Sequence, residues 1–185
     1  MTAARAIMLN ALSLYAVALV LAGAFAAQLL LSELPCPLCQ LQRIMFALLA
    51  VGPMLNIRFG PRPSHYALAL LTAVLGAAVA SRQMLLHILP NDPGYGSAML
   101  GIHFYTWALL GFIAAIVGIA AILLFERQFV PVRAATQDLS GRFAQIAVWL
   151  VIGLTIANVA SSLLECGFSA CPDNPTIYQL LQRGS

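Results

Sequence analysis

The chain carries four cysteines, and they stand in two close pairs. Cys36 and Cys39 form Cys-Pro-Leu-Cys, and Cys166 and Cys171 form Cys-Gly-Phe-Ser-Ala-Cys. Two residues between cysteines permit a small, reversible disulfide ring. A thiolate near a helix N-terminus is stabilised by unpaired N–H groups and the helix dipole. Cys39, at the start of an apolar window, is the sulfur expected to gain most from that field. Pro37 stiffens the ring, and Pro35 fixes the chain entering it. Arg43 follows Cys39 by four residues, one helical turn deeper on nearly the same face. A cation there stabilises a thiolate, and it equally suits a polar ligand head at a membrane surface. Around the second pair, Gly167 and a four-residue spacer suggest a flexible loop. Pro172, Asp173, Asn174 and Pro175 keep the tail irregular, and Ile177 to Leu181 suit a short interfacial helix. A mobile disulfide there suits exchange with a soluble partner, and a local clip on the tail is the plainer alternative.

The elements that hold these pairs are read from composition and hydropathy. Of 185 residues, 62% are hydrophobic and only 8% charged, against soluble-domain norms of about 45–50% and about 25%. That excludes an ordinary soluble domain, a disordered tail and a nucleic-acid-binding module. The net charge of +3 comes from nine Arg and no Lys. A hydrocarbon core needs roughly 20 apolar helical residues, and five windows qualify: about 6–31, 40–57 (interrupted by Gly52-Pro53), 66–89, 104–125 and 143–164. None alternates as a barrel strand does, so the fold class is all-α, a polytopic membrane helix bundle. Residues 1–185 read as a single membrane domain with a tail from Glu165. Ala22-Gly23-Ala24 resembles a signal-peptide cleavage site, but the apolar stretch before it is too long for one. Small residues at packing spacing (Ala73, Gly76, Ala77 and Ala80; Gly111, Ala114 and Gly118) allow close helix contacts.

Arg5 precedes the first window, Arg58 and Arg62 lie in the second connection, and Arg127, Arg133 and Arg142 lie in the fourth. The first and third connections have no Arg, and the tail has only Arg183. By the positive-inside rule the N-terminus is cytoplasmic, while the first and third connections and the tail face outward. Five spans therefore bring all four cysteines to the oxidising face, where disulfides persist. Haem attachment is excluded because Gln40, not His, follows Cys39. A four-thiolate zinc site is disfavoured by the loose second spacing and the compartment. Two structural disulfides, or a copper(I)-handling protein using the four Cys, remain as alternatives.

Leu34-Pro35-Cys36-Pro37-Leu38-Cys39-Gln40-Leu41-Gln42-Arg43, lying between the first and second windows, resembles the signature of the DsbB family. These are bacterial inner-membrane proteins that reoxidise a periplasmic dithiol oxidase and pass electrons to quinone. The likeness extends over about Ala6 to Phe125, with the Cys-x-x-Cys segment the sharp match. It implies a four-helix bundle, to which this chain adds a fifth membrane helix, with two periplasmic redox pairs. It also implies a quinone (ubiquinone or menaquinone) near the Cys-x-x-Cys, and a DsbA-like thioredoxin-fold partner. Carried over, Cys36 and Cys39 are the quinone-coupled pair, Cys39 the thiolate that interacts with quinone and Arg43 a quinone contact. The family's second pair usually lies between the third and fourth helices, where this chain has no Cys. Cys166 and Cys171 are expected to replace it from beyond the fifth helix. The vitamin K epoxide reductase family also couples two Cys pairs to a quinone, but it places its Cys-x-x-Cys late in the bundle.

Arg82, Gln83 and His87 lie in the outer half of the third window. Intramembrane ionisable groups usually face a cavity or a partner. Gln83 and His87 share a face, with Arg82 about 100° around. Arg82 and His87 are therefore expected, with Arg43, to line a quinone head-group site. Snorkelling of the Arg and a backbone-bonded His is the competing reading. On the fifth window Asn158, Ser161, Ser162 and Glu165 form a polar stripe that suits helix–helix hydrogen bonds. Glu165 directly precedes Cys166, and a like charge there raises a thiol's pKa. His103, Tyr105 and Trp107 read as interfacial anchors. No metal is expected.

Overall fold

The computed structural model describes residues 1–129 and 138–182. Its long helices are α1 (Ala3–Leu30), α2 (Pro37–Leu49), α3 (Val51–Phe59), α4 (Pro63–Leu86), α5 (Phe104–Leu123) and α6 (Asp138–Cys166), followed by a short α7 (Gln179–Gln182). With α2 and α3 counted as one interrupted span, five helical segments are long and apolar enough to cross a membrane. The chain is an all-α, polytopic membrane protein, as the five windows predict. Its lipid-facing surface is apolar, with Leu19, Leu71, Val117 and Trp149 all widely exposed. Arg133 and Arg183, used above for orientation, lie outside the described residues.

The boundaries shift for local reasons. Proline is tolerated in the first helical turn, where its missing N–H has no partner to lose. Pro37 and Pro63 therefore open α2 and α4, three residues ahead of the expected starts. The α2–α3 interruption falls at Ala50, three residues before Pro53. A proline ring clashes with the carbonyl four residues back, here that of Leu49, the last residue of α2. Helix α4 stops at Leu86, short of the expected Leu89, because His87 leaves helical geometry and pairs with Asp92. The connection that follows is not wholly irregular. Ala98–Met99 (β1) pairs antiparallel with Ile102–His103 (β2). Leu100 and Gly101, both with positive φ, close the hairpin as the mirror-image turns of two-residue loops require.

The helices enclose one core. Leu14, Val17 and Leu21 of α1, Phe46 and Leu49 of α2, Ala73 and Ala80 of α4, Phe112 of α5 and Val151 of α6 are all buried in it. The Phe46 and Phe112 rings stack at 4.1 Å between centroids. Gly76 lets α4 approach that stack, since a Cβ there would run into the Phe112 ring. Of the small residues read as packing positions, Ala73, Gly76 and Ala80 are buried, Gly76 against Phe112 of α5. At the end of the bundle away from the cysteines, Asn10, Asn56, Tyr66 and Gln128 form one buried hydrogen-bonded chain. This chain ties α1, α3, α4 and the segment after α5 together. Buried polar groups persist when each finds a partner, and these do.

Candidate redox site

Both cysteine pairs are disulfides, Cys36–Cys39 and Cys166–Cys171, and both lie at the same end of the bundle. Cys36 is the N-cap of α2, and its sulfur accepts the Cys39 backbone N–H at 3.1 Å. This corrects the expectation that Cys39 gains most from the helix terminus. Because Pro37 already occupies the first helical turn, the capping sulfur is Cys36, and Cys39 lies within the helix. Cys36 is buried and Cys39 only half-buried. Gln83 of α4 contacts both sulfurs, its Nε2 donating to Cys36 Sγ and Cys39 Sγ at 3.3 Å each. Its Oε1 accepts from Gln42 Nε2 at 2.7 Å, which fixes the amide's orientation.

The second disulfide reaches the first through Gln40. This side chain, next in sequence to Cys39, donates from Nε2 to Cys166 Sγ at 3.5 Å. Its Oε1 lies 3.6 Å from Cys171 Sγ. Thus one turn of α2 carries Cys39 against α4 and Gln40 against the tail disulfide. Cys166 is 5% exposed, whereas Cys171 is half-buried and precedes an open tail. Phe168, at the tip of the loop between them, is 91% exposed. Gly167 ends α6 with φ of +65°, and its N–H bonds to the Leu163 carbonyl at 2.8 Å. This is the left-handed cap that glycine adopts without penalty.

Arg43 is held by α1 and α6 rather than by α4. Its Nη1 donates to Gln28 Oε1 at 2.7 Å and Asn158 Oδ1 at 3.3 Å, and its Nη2 to the Ala24 carbonyl at 2.9 Å. Gln28 in turn donates to Ser161 Oγ and Tyr178 Oη, holding the tail against α1 and α6. The polar stripe of α6 therefore makes helix–helix contacts through Asn158 and Ser161. Glu165, on the same stripe, is fully buried, and neither of its oxygens has a hydrogen-bond partner among the described residues.

The α4 residues divide differently from expectation. Gln83, not Arg82, enters the site. Arg82 is exposed, about 100° around the helix from Gln83, and touches neither Arg43 nor a sulfur through the hydrogen bonds of the described residues. His87 lies one turn beyond Gln83 on its face, bonded through Nδ1 to Asp92 Oδ1 at 3.0 Å and stacked on Tyr105 at 5.7 Å. Tyr105 stacks in turn on His103 at 5.2 Å, and the buried Nδ1 of His103 has no partner among the described residues. The Gly94 N–H and His87 hold the Asp92 carboxyl below the usual carboxylate range. Burial, together with the acidic groups of Glu165 and Glu33, pushes the Tyr95 phenol up. Glu33 also clamps the third connection onto the first, accepting the Ser97 N–H at 2.9 Å and its hydroxyl at 2.5 Å, while Tyr95 Oη donates to the Leu34 carbonyl at 2.6 Å. Sequence reasoning passed over Gln28, Gln40 and Gln42 as contacts. Their signal was a long polar side chain inside an apolar window.

The family model described as disulfide bond formation protein DsbB matches residues 5–97, which include Cys36, Cys39, Arg43, Gln83 and His87 but not the tail pair. Disulfide bond formation protein B of Xanthomonas axonopodis pv. citri (strain 306) is 40% identical over 77 residues, 39% of this chain and 45% of that protein. Disulfide bond formation protein B of Azoarcus sp. (strain BH72) is 39% identical over 62 residues, 31% of this chain and 37% of that protein. The matched part thus spans less than half the length of these curated relatives. No solved structure matches. With its Cys-x-x-Cys at the head of α2 and half of its length under the family model, the chain belongs to the DsbB family.

Proposed function

We propose that the protein is a membrane thiol oxidase that reoxidises a DsbA-like, thioredoxin-fold dithiol protein and passes the electrons to quinone. In this reading it sits in a bacterial inner membrane with its N-terminus cytoplasmic and both disulfides periplasmic. The observation that carries the reading is the contact of Gln40, the neighbour of Cys39, with both sulfurs of the Cys166–Cys171 disulfide. Two disulfides one side chain apart suit exchange, whereas separate structural clips need no such contact.

The steps follow from exposure. The donor's thiolate attacks Cys171, the more open sulfur of the tail pair, forming a mixed disulfide and releasing Cys166 as a thiolate. The donor's second thiol then resolves the mixed disulfide and leaves oxidised. Cys166 attacks one sulfur of Cys36–Cys39, and Cys171 completes the exchange by attacking Cys166. The tail disulfide is thereby restored, and Cys36 and Cys39 are left as thiols. The Gln83 amide, aimed at both of these sulfurs, stabilises whichever carries negative charge.

The donor set fits a quinone head. Arg43 uses three of its five N–H donors on the protein, leaving its Nε–H and one Nη2 hydrogen for a carbonyl oxygen. His87, one turn beyond Gln83, and the unpartnered His103 Nδ1 add donors on the α4–α5 side. Quinone, where bound, supplies the acceptor for two electrons and two protons. Arg82 is assigned no role in holding it. Quinone absorbance is followed after mixing the protein with ubiquinone and a reduced DsbA-like donor, in wild type and Cys166→Ser. Consumption in wild type alone is expected. Consumption in neither, with both proteins folded, would sink the reading.

A further inference from the structure

We propose that Glu165 is the proton-exchanging group of the tail pair, giving a proton to the Cys166 sulfur when its disulfide opens and taking it back when Cys166 attacks Cys36–Cys39. The inference rests on the thiol-oxidase reading and assigns to it a residue outside the part of the chain that matches the family.

Three observations carry it. Glu165 is 0% exposed, and neither carboxyl oxygen meets a hydrogen-bond donor of adequate geometry among the described residues. Burying a carboxylate without a hydrogen-bond partner is costly, which favours holding a proton there and suits the group to exchange one. Its neighbour in sequence is Cys166, the buried sulfur of its pair, and the two share the last turn of α6. Gln40 and Arg43 act on Glu165 from α2, and Gln40 is the same side chain that touches the tail sulfurs. Glu165 and Cys166 thus lie on one buried turn of α6, with Gln40 at the head of α2 against the sulfurs of the tail pair. The rest of the α6 stripe is spent on fixed partners, Asn158 on Arg43 and Ser161 on Gln28. Among the described residues, Glu165 is the acidic group on it, and neither of its oxygens is paired.

Exchange through a buried sulfur needs such a group. When the donor opens Cys166–Cys171, Cys166 leaves as an anion with little access to water. Glu165 protonates it, so the site never holds an unpaired thiolate, and the carboxylate formed is within electrostatic range of Arg43. In the second half, Glu165 recovers that proton as the Cys166 sulfur attacks the first disulfide, because only the thiolate is nucleophilic. The carboxyl ends as it began. Two electrons pass from the donor dithiol to Cys36–Cys39, and the donor becomes a disulfide. Cys171, half-exposed, exchanges its own proton with water.

The test is the pH dependence of electron transfer between the two pairs in lipid nanodiscs. The tail pair is reduced by a stoichiometric donor, the reaction is quenched by alkylation, and thiols at Cys36 and Cys39 are counted by mass spectrometry. The charged or titratable groups in electrostatic reach of Glu165 are Arg43 of α2 and Tyr95 of the third connection, with Tyr178, Glu33 and the four cysteines around them at the same end of the bundle. The Glu165 contribution is therefore taken as the difference between variants. Glu165→Gln is expected to slow transfer roughly a hundredfold, the scale of a lost general acid–base group, and to remove one inflection from the profile. Glu165→Asp is expected to retain the inflection at a lower rate. An unchanged rate and profile in Glu165→Gln overturns the proposal. Should that variant not fold, a pH profile without an inflection in both wild type and Glu165→Asp overturns it instead. Absence of transfer between the pairs in wild type would be the failure of the thiol-oxidase reading itself.

Discussion

Gln83 meets the head of α2 from α4 while Arg43 joins α2 to α1 and α6, and their contacts suit different parts of the proposed chemistry. The Gln83 amide donates to both sulfurs of the first disulfide and is braced by Gln42. Once that disulfide is reduced, the same N–H groups face a thiolate, and hydrogen bonds to a charged group are worth about 1.5–3 kcal/mol. Gln83→Leu should therefore raise the pKa of the reactive thiol by at least about one unit and cut its alkylation rate near neutral pH roughly tenfold. A pH series of iodoacetamide labelling on the reduced protein measures this, and an unmoved profile would remove Gln83 from the site. Arg43 makes no contact with a sulfur. Arg43→Ala is expected to raise the apparent KM for quinone while leaving oxidation of the protein donor by the tail pair intact in a single turnover. Unchanged quinone kinetics would show that its role is confined to joining α1, α2 and α6. The sequence motif marked Cys36, Cys39 and Arg43, because their spacing is local. It did not mark Gln40 as the bridge or Gln83 as the sulfur contact. Those roles depend on the rotation of α2 and α4 about their axes, which a pattern of uniformly apolar windows leaves undetermined.

The connections were the least legible elements, and they shape the outer end of the bundle. The third connection reads as loop because Pro90, Asn91, Pro93 and three glycines punctuate it. Its hairpin turn is Leu100-Gly101 rather than the Asn-Gly that signals such a turn. What orders the segment is tertiary: Glu33 clamps Ser97, Tyr95 bonds to Leu34, and Asp92 joins His87 to the Gly94 amide. The Asp92 contribution has a definite pH sense. Its carboxyl is held below the usual range, chiefly by the Gly94 N–H and then by His87, so its folded pKa lies below the unfolded one. The contribution is present above the unfolded value and is lost as pH falls through the folded value. The protection of the Gly94 amide, its exchange relative to the intrinsic rate at each pH, should therefore stay high at neutral pH and fall only on strong acidification. Asp92→Ala should remove it throughout. Equal protection in the two proteins at neutral pH would show that Glu33 and Tyr95 hold the loop unaided.

At the scale of the molecule, parity carries the topology: an odd number of spans separates the termini and brings the first connection, third connection and tail together. The five windows and the placement of both disulfides at one end of the structure agree with it. Parity does not say that the ends touch. They meet because Gln28 of α1 binds both Ser161 of α6 and Tyr178 of the tail, while Gln40 of α2 meets the tail disulfide. These are contacts between residues more than a hundred positions apart, of a kind no local pattern encodes. Sidedness follows from the same arrangement. Ser64 lies exposed at the start of α4, at the Arg58 and Arg62 end, and Ser169 lies exposed within the tail loop at the other. With all four native cysteines replaced by serine, Ser169→Cys should react with a membrane-impermeant maleimide on intact spheroplasts. Ser64→Cys should react only after the membrane is permeabilised. The reverse pattern would put both disulfides in the reducing cytosol, where a quinone-coupled oxidase for secreted thiols has no substrate. Labelling of both before permeabilisation would mean that α4, α5 and α6 do not cross the membrane an odd number of times between those two points.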